Sequence, residues 1–299
     1  MGRHAYLIMA YNNPEQLIKL IKLLDDSRND IFVHIDKDAD FPMDVFDSIT
    51  TASKLYVVPR VSVRWAHFSQ VEAELTLLSC ATQADEYSYY HLLSGMDLPI
   101  KTQDEIHSFF SDKNCEFIGI VPVESKYNLR HVMCRYPLLG LKSYRKTKLL
   151  RYISEGFASV QMFFYNLGIG GKNRKAHKCG VKFYDGWQWF SITDEFARYL
   201  LSCEQEIAKM FSKAKAPDEM VLQTIAMSSP FAERLYDASS LVNGSMRMID
   251  WERGKPYVFR SEDFEELMSS PCMFARKFDE RVDAKIIDMV ADALKNERR

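Results

Sequence analysis

The chain has 299 residues and a formal net charge of −2, from 39 Lys and Arg against 41 Asp and Glu. At 47% hydrophobic and 27% charged it has the composition of a packed globular protein and not of a disordered one. The near-neutral balance argues against a general nucleic-acid binder, and no run of about 18 apolar residues offers a membrane span. Residues 1–13 (MGRHAYLIMAYNN) do not read as a secretory signal, and Tyr6 stands where myristoylation needs Ser or Thr. Six cysteines at 80, 115, 134, 179, 203 and 272 form no CxxC pair. They read as reduced, small apolar residues of a cytosolic protein.

In chain order, residues 6–11 (YLIMAY) form an apolar run closed by Asn12 and Asn13, as expected of a buried strand. Asn13, Pro14 and Gln16 then carry helix-start chemistry, followed by Leu17, Ile18, Ile21 and Leu24 at helical spacing. Residues 31–35 and 55–58 read as strands, as do 87–93 and 116–121. Ser69 with Glu72 and Thr102 with Glu105 have the spacing of capping boxes that open helices. This alternation predicts an α/β fold with a mostly parallel central sheet flanked by helices. Ligands of such sheets bind beyond the carboxyl ends of the strands, which draws attention to Tyr11-Asn12, Asp36 to Asp40, and Ser94-Gly95-Met96-Asp97.

Residues 141–178 differ from the rest. They hold nine Lys and Arg against one acid, Glu155, for a local charge of +8 that leaves −10 on the remainder. An aromatic stretch, 157–167, lies inside them. Basic flanks around aromatics suit an anionic membrane surface or a lipid-linked acceptor. The plainer reading is a solvated insertion whose aromatics pack onto the core. Further on, 187–193 reads as a strand and 194–202 as a helix. Ala216-Pro217-Asp218-Glu219 opens another helix, 246–249 is a strand, and a helix over about 261–268 follows. Val282, Ile286, Val290 and Leu294 give an amphipathic tail. No linker is visible, so one domain over 1–299 is expected, with the basic and aromatic insertion at 141–178.

Phosphate-loop, dinucleotide, hydrolase-elbow and zincin patterns are absent. Asp36, Asp38 and Asp40 alternate at a strand end. They either hold a divalent cation or leave Asp36 alone on a ribose or uracil, with the other two solvated. Glu219, at a predicted helix start, is expected to be kept ionised by the helix dipole. Arg276 and Lys277 stand between apolar neighbours, which would strengthen them as an anion clamp; the alternative is two surface charges beside a core Phe pair.

Eight segments between residues 5 and 279 resemble, in order, the Core-2/I-branching β-1,6-N-acetylglucosaminyltransferase family, which includes the peptide O-xylosyltransferases. They are 5–8 with 14–17, 33–36, Val63-Arg64-Trp65 with 68–75, 92–102 (LLSGMDLPIKT), 187–190 (WQWF), Pro217-Asp218-Glu219, Ile249-Asp250-Trp251, and 274–279 (FARKFD). Residues 123–185 match poorly. The resemblance implies a GT-A-like fold and an inverting transfer of a sugar, GlcNAc first, from a UDP-sugar to a hydroxyl of a glycan or lipid-linked glycan. It implies Glu219 as general base, Asp36 on the nucleoside, and Ser94, Gly95 and Asp97 around the donor. Lys277 and an arginine would hold the diphosphate in place of a metal, so no metal and no cofactor are expected. That arginine is not fixed by the pattern; Arg253, Lys255 and Arg260 are the candidates. Trp65, Trp187 and Trp189 are expected against sugar, with Glu124, Arg135 and Tyr136 toward the acceptor. No nucleic-acid partner is expected. The absence of an anchor and of paired-looking cysteines suggests a bacterial-type cytoplasmic enzyme of surface-polysaccharide synthesis, with peripheral contact at the inner membrane face through 141–178. Two alternatives remain: a metal-dependent transferase using Asp36 and Asp38 with UDP-xylose or UDP-glucose, and a non-catalytic glycan-binding relative.

Overall fold

The computed structural model describes residues 2–296. Its strands are β1 (His4–Ala10), β2 (Asn29–Ile35), β3 (Lys54–Val57), β4 (Tyr89–Ser94), β5 (Asp97–Pro99), β6 (Phe117–Val121), β7 (Asp185–Ile192), β8 (Arg247–Ile249) and β9 (Phe274–Arg276). The main sheet has the order β3-β2-β1-β4-β7-β6. Its first four strands are parallel, and β7 runs antiparallel to both β4 and β6. A second sheet, β5-β9-β8, lies apart from it. The α/β architecture with a mostly parallel sheet is therefore present.

Continuous apolar runs in β1, β2 and β4 follow from burial on both faces. Leu7, Phe32 and Leu92 enter one hydrophobic cluster, while their neighbours Ile8, Val33 and Leu93 enter the other. Helices α1 (Pro14–Leu24), α2 (Ser69–Ala84) and α3 (Gln103–Ser111) cover these faces. The predicted box at α3 is complete: Glu105 N–H donates to Thr102 Oγ1 at 3.2 Å, and Thr102 N–H to Glu105 Oε2 at 2.7 Å. The one at α2 is not. Ser69 Oγ turns back to accept from Arg64 N–H at 2.8 Å, fixing the loop before the helix instead. Asn13 likewise makes no side-chain cap; its amide donates to Asp279 at 3.1 Å.

The largest departure lies in 141–178. After α4 (Lys126–Met133) comes α5 (Lys148–Asn166), nineteen residues long, and then a short helix, Arg174–Lys178. The plainer expectation put the aromatics of 157–167 on the core. Instead Phe157, Phe163 and Phe164 are exposed, and only Ser154 and Ala158 of α5 are fully buried. Ala158 belongs to a small third cluster with Tyr136, Leu139, Tyr144 and Ala66.

Candidate active site

Because β1, β2 and β4 are parallel, their carboxyl ends share one edge, and the chain runs from β1 to β2 and β3 on one side before returning to β4 on the other. That is where an α/β sheet opens a crevice. Asp36 N–H donates to Ala10 C=O at 2.9 Å and Gly95 N–H to Met9 C=O at 3.0 Å, so the segments after all three strands lie together. A Cβ on Gly95 would come within 3.1 Å of the Ala10 Cβ, which explains the glycine. Asp36 is held by two backbone donors, Asp38 N–H at 3.0 Å and Val63 N–H at 3.1 Å. Asp38 is engaged otherwise. Its two oxygens accept from Lys142 at 2.8 Å and Arg64 at 2.6 Å, and these cations hold the carboxyl far below its usual range. The 36–40 segment, with Asp40 exposed, thus does not present a free carboxylate set fit for a divalent cation.

The second sheet brings Arg276 to the same edge. Asp97 and Arg276 face each other in the antiparallel β5–β9 pair and close an ion pair of 2.6 Å. Asp97 is buried and also holds Ser94, accepting from its N–H at 2.8 Å and its hydroxyl at 2.9 Å. Arg276 donates to Ser94 Oγ as well, and its guanidinium carbon lies 4.3 Å from the Trp189 ring centroid. Gln16 of α1 ties the assembly together. Its amide donates to Gly95 C=O and Phe278 C=O, each at 3.1 Å, and its oxygen accepts from Glu280 N–H at 2.9 Å. Lys277 is half-buried, and its pKa is pushed below the ordinary lysine range, first by burial and then by Arg276, with Arg281 and Arg145 adding to the effect. Mutually repelling cations in a partly dry site favour an anion that relieves them.

An acidic group lies on the other flank. Pro217–Glu219 forms a single 3₁₀ turn that leads into a short α-helix, Val221–Met227, and Ala216 before it adopts φ 48°. Desolvation, and then the Asp185 carboxylate, push the Glu219 carboxyl up, opposite to the effect of a helix dipole. Its side chain remains accessible. Asp218 is buried, accepts from Gln70 of α2 at 2.9 Å, and is pushed up to about 7 by burial and by Glu219. Buried Glu74 is raised too, by burial and then by Asp218, and accepts from Gln188 at 2.6 Å. Gln188 bonds this acidic group while the next residue of β7, Trp189, underlies Arg276.

The remaining expected residues scatter. Arg253 is tied to Asp250, Asp263 and Glu266, so it is not a free clamp. Arg260 is exposed and adjacent to the site through the backbone, since Phe259 N–H donates to Lys277 C=O at 2.9 Å; Lys255 is exposed as well. Trp65 is exposed, with the Arg145 guanidinium carbon 5.8 Å from its ring centroid, whereas Trp187 packs half-buried on the main core. Glu124 accepts from Phe183 N–H at 2.8 Å and lies 3.1 Å from His177, which anchors the chain after Arg174–Lys178. Tyr136 is 3% exposed with a buried hydroxyl, a core residue and not one presented to a sugar. Arg135 is exposed and clasped through its backbone by Gln161. Arg276 is expected with Lys277 as half of an anion clamp, but its pairing with Asp97 and the supports Gln16, Gln70, Glu74 and Gln188 carry no signal of their own in the sequence.

The sequence profile of the Core-2/I-Branching enzyme family matches residues 4–274. Xylosyltransferase 2 of Rattus norvegicus is 22% identical over 312 residues, covering 96% of this chain and 33% of that protein. Xylosyltransferase 1 of Homo sapiens is 22% identical over 306 residues, covering 95% of this chain and 30% of its own length. The chain thus spans about a third of the length of these relatives. With a mostly parallel central sheet and this match over nearly its whole length, the chain belongs to the Core-2/I-branching enzyme family, a family of glycosyltransferases.

Proposed function

We propose that the protein transfers a sugar, GlcNAc first, from a UDP-sugar to a hydroxyl of a glycan, with inversion and without a metal. The observation that carries this reading is the junction on β7, where Gln188 bonds the acidic group and Trp189 supports Arg276. Gln188 bonds Glu74, whose charge interacts with that of Asp218 beside Glu219, so one strand contacts both the acidic group and the clamp. The acceptor oxygen attacks the anomeric carbon, Glu219 takes its proton, and the bond to the β-phosphate oxygen breaks. Arg276 and Lys277 neutralise the charge that develops on departing UDP, as fixed charges do best in a partly dry site. Asp36 binds the nucleoside. One base is enough, because UDP needs no proton to leave.

Metal independence is supported by the engagement of Asp38 with Arg64 and Lys142. A second donor, UDP-xylose, is favoured by the names of the similar proteins. Calorimetric titration with UDP, UDP-GlcNAc and UDP-xylose in EDTA tests both points. Binding of one sugar nucleotide without metal supports the clamp and selects the donor. Binding only after Mn²⁺ is restored would overturn the metal-free mechanism.

A further inference from the structure

We propose that the outward face of α5, with the cations that flank it, docks the protein on an anionic lipid bilayer. A surface helix normally turns its apolar stripe inward and its polar side to water. In α5 the order is reversed. Leu149, Tyr152, Ile153, Phe157, Val160 and Phe163 recur at helical spacing and are all at least half exposed, Tyr152 at 74%. The inward side carries Ser154 and Ala158, with Leu150 and Met162 against the third cluster. Exposed apolar stripes of this length mark contact surfaces.

Charge selects the occupant. Lys146, Lys148, Arg151, Lys175 and Lys178 are exposed and enter no ion pair among the described residues. The one acid of the segment, Glu155, is turned away into ion pairs with Arg130 at 3.0 Å and Lys215 at 2.5 Å. An apolar stripe with such cations before, within and after its helix in the chain suits lipid headgroups over an acyl boundary. A second copy meeting this face would set the cations Lys146, Lys148 and Arg151 of one copy against those of the other. No helix among the described residues is long and apolar enough to cross a membrane, so α5 would lie in the interface and not span it.

The seat adjoins the active site. Arg145, just before α5, lies over Trp65 and adds to the positive field at Lys277. Ala158 of α5 shares its cluster with Ala66 and Ala216, the neighbours of Trp65 and Pro217. A bilayer under α5 would bring a lipid-linked acceptor to that rim; this last step rests on the proposed function, and the docking itself does not.

Flotation of the whole chain with phosphatidylcholine vesicles, with and without phosphatidylglycerol, tests the proposal. The expected result is flotation with the anionic vesicles alone, reversed by high salt and weakened roughly tenfold or more by Phe157→Asp with Phe163→Asp. Those residues are exposed, so circular dichroism and UDP binding of the variant should match the parent. Failure of the parent to float with anionic vesicles would overturn the proposal whatever the variant does. Undiminished flotation of the variant would do the same, as would a dimer in sedimentation that the substitutions dissociate. None of these outcomes bears on whether the enzyme binds a UDP-sugar.

Discussion

Asp97 and Arg276 stand opposite each other across two three-residue strands and close a 2.6 Å ion pair, with the guanidinium over Trp189. The pair does two things. It neutralises a buried carboxylate, and it aims a partly accessible cation at the edge where β1, β2 and β4 end.

Removing the arginine alone would leave Asp97 buried and unpaired, at a cost of about 3–5 kcal/mol. The informative variant is therefore Asp97→Asn with Arg276→Ala, which removes both charges. Its UDP affinity should fall roughly ten- to a hundredfold, the worth of one hydrogen bond to a charged group, while the fold persists. Arg276→Lys should recover only part of that loss, because an ammonium lacks the planar fork. Calorimetry with UDP measures both, and unchanged affinity in the double variant would remove Arg276 from the clamp.

Glu219→Gln keeps the shape of the side chain and removes the base. Transfer should fall by about 10²-fold or more, with UDP binding unchanged. Because desolvation and Asp185 raise the Glu219 carboxyl, the acid limb of the rate profile should lie above the ordinary glutamate range, the ionised form being active on its alkaline side. A limb at or below that range would contradict the assignment.

Gln16 makes three bonds to backbone groups, the carbonyls of Gly95 and Phe278 and the N–H of Glu280, and is fully buried. Gln16→Leu leaves those groups unpaired at about 1–3 kcal/mol each, so a loss of about 3 kcal/mol or more in denaturant unfolding is expected. A loss near zero would mean that water replaces the amide.

The legible parts of the fold were those governed by local chemistry. The helix Asp194–Ser202 begins where Thr193 accepts from Phe196 N–H at 3.3 Å, and β1, β2 and β4 are apolar runs because both their faces are covered. What escaped was set by pairing at a distance. β5 and β9 are too short for a period to show, and they join residues 179 positions apart. Tyr136 and Glu124 looked available because a sequence carries no record of which hydroxyl is buried or which carboxylate holds a loop. The two readings of the α5 aromatics, packed on the core or facing outward, stay open in the sequence for a related reason: helical spacing gives a stripe but not the side of the molecule it faces.

Asp218 offers the clearest pH test of the site. Its folded pKa, pushed up to about 7, lies above the ordinary aspartate value, so the fold holds a proton that the unfolded chain has already released. Stability from this group is therefore full below the unfolded value and is lost as pH rises toward the folded one. The loss is about 1.4 kcal/mol for each pH unit crossed, levelling off near the folded pKa. Asp218→Asn keeps an oxygen for Gln70 and has no charge to desolvate. Relative to the parent, the variant should gain unfolding free energy steadily from about pH 4 to pH 7 and no further above that. Urea unfolding of both proteins across that range reads Asp218 together with Glu74 and Glu219, with which its charge interacts, while distant titrations cancel in the difference. A flat difference would mean that Asp218 is ionised in the fold, and with it would go the picture of a protonated acid standing behind Glu219.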